Sequence, residues 1–210
     1  MKNISKQLYT QEHPYPPYYP DKAKAIIIGT APPYRFCKPS DAQHPLKPGD
    51  IDYFYGSVDN RLWYVIKRVF DEERLAWYRT KQHCKDVLKA SDLAIADLYK
   101  KFNRRSIRAD DNDLEVVEYN VGIINKILSN KCLISKLYFT SVFSYDEFIV
   151  MLNRNNQFRF QLLEPYEKIR IQISKGKVTK VFQIKVLPSP SGRGPSDDIL
   201  VNEYKEAFKP

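Results

Sequence analysis

Four separated segments of this chain carry the groups that could do chemistry. An amide, Asn60, and an aromatic ring, Tyr55, stand together in Tyr55-Gly56-Ser57-Val58-Asp59-Asn60-Arg61-Leu62-Trp63. A carboxylate, Asp97, closes the apolar stretch Asp92 to Leu98. Hydroxyls and a guanidinium crowd Leu187-Pro188-Ser189-Pro190-Ser191-Gly192-Arg193-Gly194. The fourth segment, Gly29-Thr30-Ala31-Pro32-Pro33, offers little but backbone. Pro, Gly and small polar residues directly after an apolar run mark the carboxyl end of a strand. An α/β protein builds a backbone-lined crevice there. Three of these segments, those of Gly29, Tyr55 and Ser189, spread from Gly29 to Gly194 and are read as one site assembled from distant loops. Its chemistry would rest on hydrogen bonding, proton acceptance and charge. Cys37, Cys84 and Cys132 have no CxxC spacing and cannot supply four thiolates, and His13, His44 and His83 are scattered, so neither an iron–sulfur cluster nor a zinc site is expected.

The elements that must position these groups follow from periodicity. Lys24 to Ile28 predicts a strand stopped by Gly29 and the prolines, and residues 34–52, with Pro39, Pro45, Pro48 and Gly49, predict a long surface loop. Leu62, Trp63, Val65, Ile66 and Val69 recur at helical spacing from Asn60 to Phe70. A helix over Asp86 to Ala90 precedes the strand that ends near Asp97. Residues 111–128 predict the best helix of the chain, from an acidic start and an apolar face of Leu114, Val117, Val121, Ile124 and Leu128. A strand over Leu137 to Thr140 leads to a helix capped by Ser144, with Glu147 completing a capping box. Ile169–Ile173 and Lys177–Val186 alternate around Lys175-Gly176, a hairpin signature, and a last helix spans Asp197 to Phe208. Strands alternating with helices imply an α/β fold: a mainly parallel sheet with helices on both faces and an antiparallel appendage at the hairpin. The domain expectation is a Pro/Tyr-rich arm over residues 1–20, extended across the body, and one domain over 21–210.

The chain has 210 residues, enough for one well-buried domain. No apolar run approaches the roughly 20 residues of a membrane span. The first 20 residues lack the apolar core of a signal peptide, so the expectation is a cytoplasmic protein. Lys and Arg outnumber Asp and Glu by 34 to 25, a net charge of +9 that favours a polyanionic partner such as nucleic acid.

In order and in strand context, these segments resemble the uracil-DNA glycosylase superfamily. Gly29-Thr30-Ala31-Pro32 is similar to its first motif, Gly-x-x-Pro after the first strand. Pro188-Ser189-Pro190-Ser191-Gly192 is similar to its Pro-Ser closing motif. Tyr53-Phe54-Tyr55 running into Asn60-Arg61-Leu62-Trp63 looks like the aromatic and Asn-x-aromatic-Trp segment of the hypoxanthine-acting and mismatch-specific branches, with Leu62 in place of the usual Phe. The resemblance covers residues 24 to 208. It implies a three-layer α/β/α fold and a metal-independent, monofunctional DNA glycosylase that needs no cofactor. Such an enzyme acts as a monomer on DNA containing a damaged base, hypoxanthine or uracil.

The resemblance also implies roles, each beside a plainer one. Many branches place water with an Asp or Asn at the third position of the first motif, where this chain has Ala31. The hypoxanthine branch uses the Asn of the later segment, which carries over to Asn60; the plainer role is a helix N-cap. Backbone N–H groups near Gly29 and Thr30 would stabilise the departing base. Tyr55 would stack on it, or pack in the core beside Tyr53 and Phe54, while Trp63 is read as core. Asp97 would accept the ring N–H that hypoxanthine and uracil share, or cap a helix, or pair with Arg104 or Arg105. Asn103-Arg104-Arg105-Ser106 with Asp110 and Asp111 partly resembles an Arg-x-x-Ser…Asp pattern of the family, or is a solvated basic loop. Ser189 and Ser191 would grip phosphates. Gly192 and Arg193 match the place of a wedge into the base stack, Arg193 contacting a phosphate on the simpler reading, or forming a tight turn away from DNA. Two rival functions remain: a non-catalytic DNA-binding member of the fold, and a nucleoside hydrolase. Salt separates them, because only DNA binding releases many counterions.

Overall fold

An unbroken apolar run has no face to give to water, so Ala25-Ile26-Ile27-Ile28 must be covered on both sides. The computed structural model describes residues 9–37, 41–70, 80–107, 110–163 and 169–208. Residues 1–8 of the arm and 38–40 of the loop expected over 34–52 lie outside them. In chain order the strands are β1 (Tyr9–Glu12), β2 (Ala25–Gly29), β3 (Leu93–Asp97), β4 (Tyr99–Arg104), β5 (Leu114–Tyr119), β6 (Lys136–Phe139), β7 (Arg159–Leu162), β8 (Arg170–Lys175) and β9 (Val178–Val186). The helices are α1 (Tyr34–Cys37), α2 (Leu62–Phe70), α3 (Lys81–Ala90), α4 (Gly122–Leu128), α5 (Val142–Arg154) and α6 (Asp197–Phe208).

A six-stranded sheet runs β3-β2-β6-β9-β8-β7. Its first four strands are parallel, and β8 pairs antiparallel with both β9 and β7. Ile26, Ile28, Ala94, Ala96, Leu137 and Phe139 pack with α4 and α5 on one face. Ala25, Ile27, Leu93, Ile95 and Tyr138 pack with α2, α3 and α6 on the other. The result is a three-layer α/β/α fold with a mainly parallel central sheet. The hairpin turns at Gly176, whose φ of 57° is the left-handed region that glycine enters without strain.

A second, three-stranded antiparallel sheet, β1-β4-β5, was not foreseen. The best predicted helix, 111–128, is broken: a 3₁₀ turn at Asp111–Asp113, then β5, then only Gly122–Leu128 as helix. Leu114, Val117 and Val121 have helical spacing, but Val116 pairs with Phe102 and the β-branched pair Val116-Val117 suits a strand. Tertiary pairing overrides the local pattern. Helix α3 starts at Lys81 rather than Asp86, because the Thr80 hydroxyl caps it from the His83 N–H. Ser141, not Ser144, caps α5, and Ser144 completes the capping box in place of Glu147. Glu147 instead accepts hydrogen bonds from the Tyr99 and Tyr119 hydroxyls.

Strand β1 pairs with β4, and Tyr18 and Ile95 exchange backbone hydrogen bonds. The loop that begins at α1 is pinned by Arg35, whose guanidinium donates twice to the buried Asp50 carboxylate and once to Ser57 Oγ. Burial alone would raise the Asp50 pKa. Hydrogen bonds from Arg35 and from the Val58 and Lys47 N–H groups outweigh it and hold that carboxyl below its usual value.

Candidate functional site

The carboxyl ends of β2, β3, β6 and β9 open into a cavity of about 520 Å³. Three sequence-distant loops meet there. Thr30, Ala31, Pro32 and Pro33 follow β2; Thr140 and Ser141 follow β6; Ser189, Pro190, Ser191 and Arg193 follow β9. Tyr55, Ser57 and Asn60 come from the segment ahead of α2, and Asp97 from the end of β3. Of the residues singled out in the sequence, Thr30, Tyr55, Asn60, Asp97, Ser189, Ser191 and Arg193 therefore line one cavity. Gly29 and Gly192 are not among its lining residues, and none of residues 34–52 described here is.

Gly29 acts from beneath. A Cβ there would fall 1.9 Å from the Tyr55 hydroxyl and 2.5 Å from Asp97 Oδ1. The absent side chain is the space those two groups occupy. The carbonyls of Gly29 and Thr30 accept from the Leu98 and Tyr99 N–H groups, where the chain leaves the large sheet for the small one. Asp97 stands at that corner.

Asp97 is 6% exposed, and its buried Oδ1 has no hydrogen-bond partner among the described residues. Its Oδ2 lies 2.9 Å from His13 Nε2, a partner outside the sequence expectation of a cap or of Arg104 or Arg105. Tyr55 reaches the cavity from a strained backbone, φ 54°, while Tyr53 and Phe54 before it are core. Its hydroxyl lies 3.0 Å from Thr140 Oγ1. Burial first, and then the Asp97 charge, push that phenol well above its ordinary pKa, so it stays protonated.

Asn60 caps α2: its Oδ1 accepts the Leu62 N–H at 2.9 Å. Trp63 is core, its indole N–H on the Phe54 carbonyl. Arg61 ties the same helix start to the closing loop. Its backbone N–H donates to Pro190 O, and its guanidinium to the Ser191 and Pro195 carbonyls and to Asp197. Ser189 Oγ accepts from the Ser191 N–H at 3.4 Å. The Arg193 side chain is 73% exposed and pairs with Asp110 across 3.6 Å.

Asn103 and Arg104 end β4 and are not part of a solvated basic loop. Arg104 is 2% exposed, and its guanidinium donates to Gln11 Oε1 in the arm and to the Pro32 carbonyl in the first loop. It lines the cavity together with Asp110, Asp111 and Asn112. Burial and the Asp97 charge push the Asp111 carboxyl up to about 6, with Arg104 opposing. The sequence offers Asp111 only within a partial family pattern, because locally it reads as a helix start. His13 and Phe143, which also lines the cavity, carry no local signal at all. Among the described residues, no His/Cys/Asp/Glu group could hold a metal, and no helix is long and apolar enough to cross a membrane.

Neither a protein-family model nor a curated protein sequence matches the chain. The fold does have a solved likeness. The solution NMR structure of a candidate uracil DNA glycosylase from Methanosarcina acetivorans superposes with a TM-score of 0.55 at 13% identity. The match covers 95% of this chain and 97% of the other.

Proposed function

We propose that this protein is a metal-independent, monofunctional DNA glycosylase that hydrolyses the N-glycosidic bond of a flipped deaminated base, hypoxanthine or uracil. One observation carries the reading. Asp97 lines the cavity at the carboxyl ends of four parallel strands, and its buried Oδ1 has no hydrogen-bond partner among the described residues. An unsatisfied buried acceptor is costly, and a ligand N–H relieves it. The fold likeness to a candidate uracil DNA glycosylase and the +9 charge support a DNA substrate.

The base leaves the stack to enter the cavity. As the glycosidic bond breaks, positive charge grows on the sugar and negative charge on the base. Asp97 Oδ1 accepts the ring N–H, Tyr55 stacks on the ring, and backbone N–H groups near Gly29 and Thr30 face the departing base. Asn60 and the ionised Asp111 hold the attacking water. Asp111 is the stronger proton acceptor of the two, so bond breaking need not run as far ahead of attack as an amide alone would require. Ser189, Ser191, Gly192 and Arg193 hold the flanking backbone.

A second reading, a DNA-binding protein without catalysis, draws on Ala31 and on the capping bond that occupies Asn60 Oδ1. Base release from labelled oligonucleotides carrying uracil, hypoxanthine or xanthine, single- and double-stranded, decides between them. The expected result is release that falls at least about 100-fold in Asn60→Ala. Its stability should drop by only about 1 kcal/mol for the lost cap. No release on any substrate, with salt-sensitive DNA binding intact, leaves the binding protein.

A further inference from the structure

The N-terminal arm reaches the carboxylate of the cavity through His13. This residue lies just past β1, and its own N–H donates to the Lys100 carbonyl, so its backbone is fixed to β4. Its Nε2 is 2.9 Å from Asp97 Oδ2, with the two side chains 7% and 6% exposed. Tyr15 holds the other edge of the ring: its N–H donates to Nδ1 at 3.1 Å, and its carbonyl lies 2.9 Å from the same nitrogen. The Phe54 ring packs 5.2 Å from the imidazole. A buried imidazole caught between a backbone and a carboxylate has one orientation, and it imposes one on the carboxylate.

The arrangement works in both protonation states. A neutral ring accepts at Nδ1 from Tyr15 and carries its hydrogen on Nε2. A protonated ring donates from Nδ1 to the Tyr15 carbonyl and keeps the hydrogen on Nε2. Either way Nε2 donates to Asp97 Oδ2, and Oδ1 has no hydrogen-bond partner among the described residues.

We propose that His13 is a positioning residue that fixes the Asp97 carboxylate so that Oδ1 meets a ring N–H of the extruded base, making the arm part of the base-reading site. This rests on the reading of the cavity as a base pocket. It also states what the pocket rejects. Hypoxanthine and uracil present an N–H beside a carbonyl, whereas adenine and cytosine present a bare ring nitrogen there. A fixed acceptor set against that lone pair is repulsive, so the undeaminated base is excluded.

The test uses the full chain and two readouts. One is the affinity ratio for oligonucleotides carrying hypoxanthine against adenine, and uracil against cytosine, at one position. The other is single-turnover base release. His13→Ala should lose about 10-fold in both, the worth of a hydrogen bond to a charged group. His13→Gln, whose amide N–H can donate to Asp97, should recover most of it. In an Asp97→Ala background, His13→Ala should add nothing, and affinity for undamaged DNA should stay within about twofold throughout. An unchanged ratio and rate in His13→Ala, or an equal loss with Asp97 already removed, overturns the proposal. Discrimination without base release in the wild type, lost in His13→Ala, removes the glycosylase reading and keeps the role of His13. Neither discrimination nor release in the wild type overturns both.

Discussion

The two walls of the cavity hold their polar groups by opposite means. On one wall, the Asp97 carboxylate stands at the corner between two sheets and the Asp111 carboxylate in the 3₁₀ turn before β5, with the buried Arg104 guanidinium bracing the first loop through Pro32. On the other, Asn60, Ser189 and Ser191 offer amide and hydroxyl groups on turns, and Arg193 stands mostly in solvent. Buried charge on rigid elements is directional and insensitive to salt, which suits the hydrogen-bonding edge of a base. An exposed cation on a loop adapts and is screened, which suits a phosphate. The Arg193–Asp110 pair joins the walls across the mouth, and an exposed pair of this kind is cheaply exchanged for a phosphate contact.

The rigid wall should show the largest effect. Gly29→Ala puts a Cβ into the Tyr55 hydroxyl and Asp97 Oδ1, so one of them must move. Base release should fall at least about 100-fold, and thermal unfolding should show a loss of roughly 1–3 kcal/mol from overpacking. Unchanged activity in this variant would mean that the placement of Asp97 does not matter.

Asp111→Asn should be intermediate and tied to pH. The folded-state pKa of about 6 lies above the ordinary carboxyl value of 3.8, so the fold disfavours the ionised form. That penalty is fully present above pH 6 and vanishes below the unfolded pKa near 4. Asp111→Asn should therefore stabilise the protein at pH 7.5, by about 1–2 kcal/mol after solvent screening, and not at pH 4. Wild-type base release should rise with pH through about 6, a step that Asp111→Asn abolishes. Equal destabilisation at both pH values would contradict the assignment.

The loop wall should show the smallest effect. Arg193→Ala should weaken DNA binding about three- to tenfold and lower the salt slope by about 1, leaving base release at saturation unchanged. A loss of rate at saturation would make Arg193 part of the chemistry instead.

This division also explains what the sequence revealed. The loop wall was legible because Pro, Gly and Ser after an apolar run mark a strand's carboxyl end by themselves, and Asn60 sits at a recognisable helix start. The parallel strands, the hairpin and α6 were legible for the same local reasons. On the rigid wall only Asp97 was legible, at the end of an apolar run, and its partners were not. Asp97 meets His13 across 84 positions, and Arg104 meets Gln11 across 93. The small sheet that unites them exists only because β1 and β5 pair with β4. Leu114, Val117 and Val121 spelled a helix locally, and long-range pairing overruled it.

The most direct measurement is a crystal structure of the wild-type chain with an oligonucleotide carrying a hypoxanthine nucleotide made resistant to hydrolysis at the sugar. The expected result is a base extruded into the cavity, its ring N–H donating to Asp97 Oδ1 at about 2.9 Å, and a flanking phosphate on Arg193. A base left in the stack, or an extruded base whose N–H faces the loop wall, would contradict it.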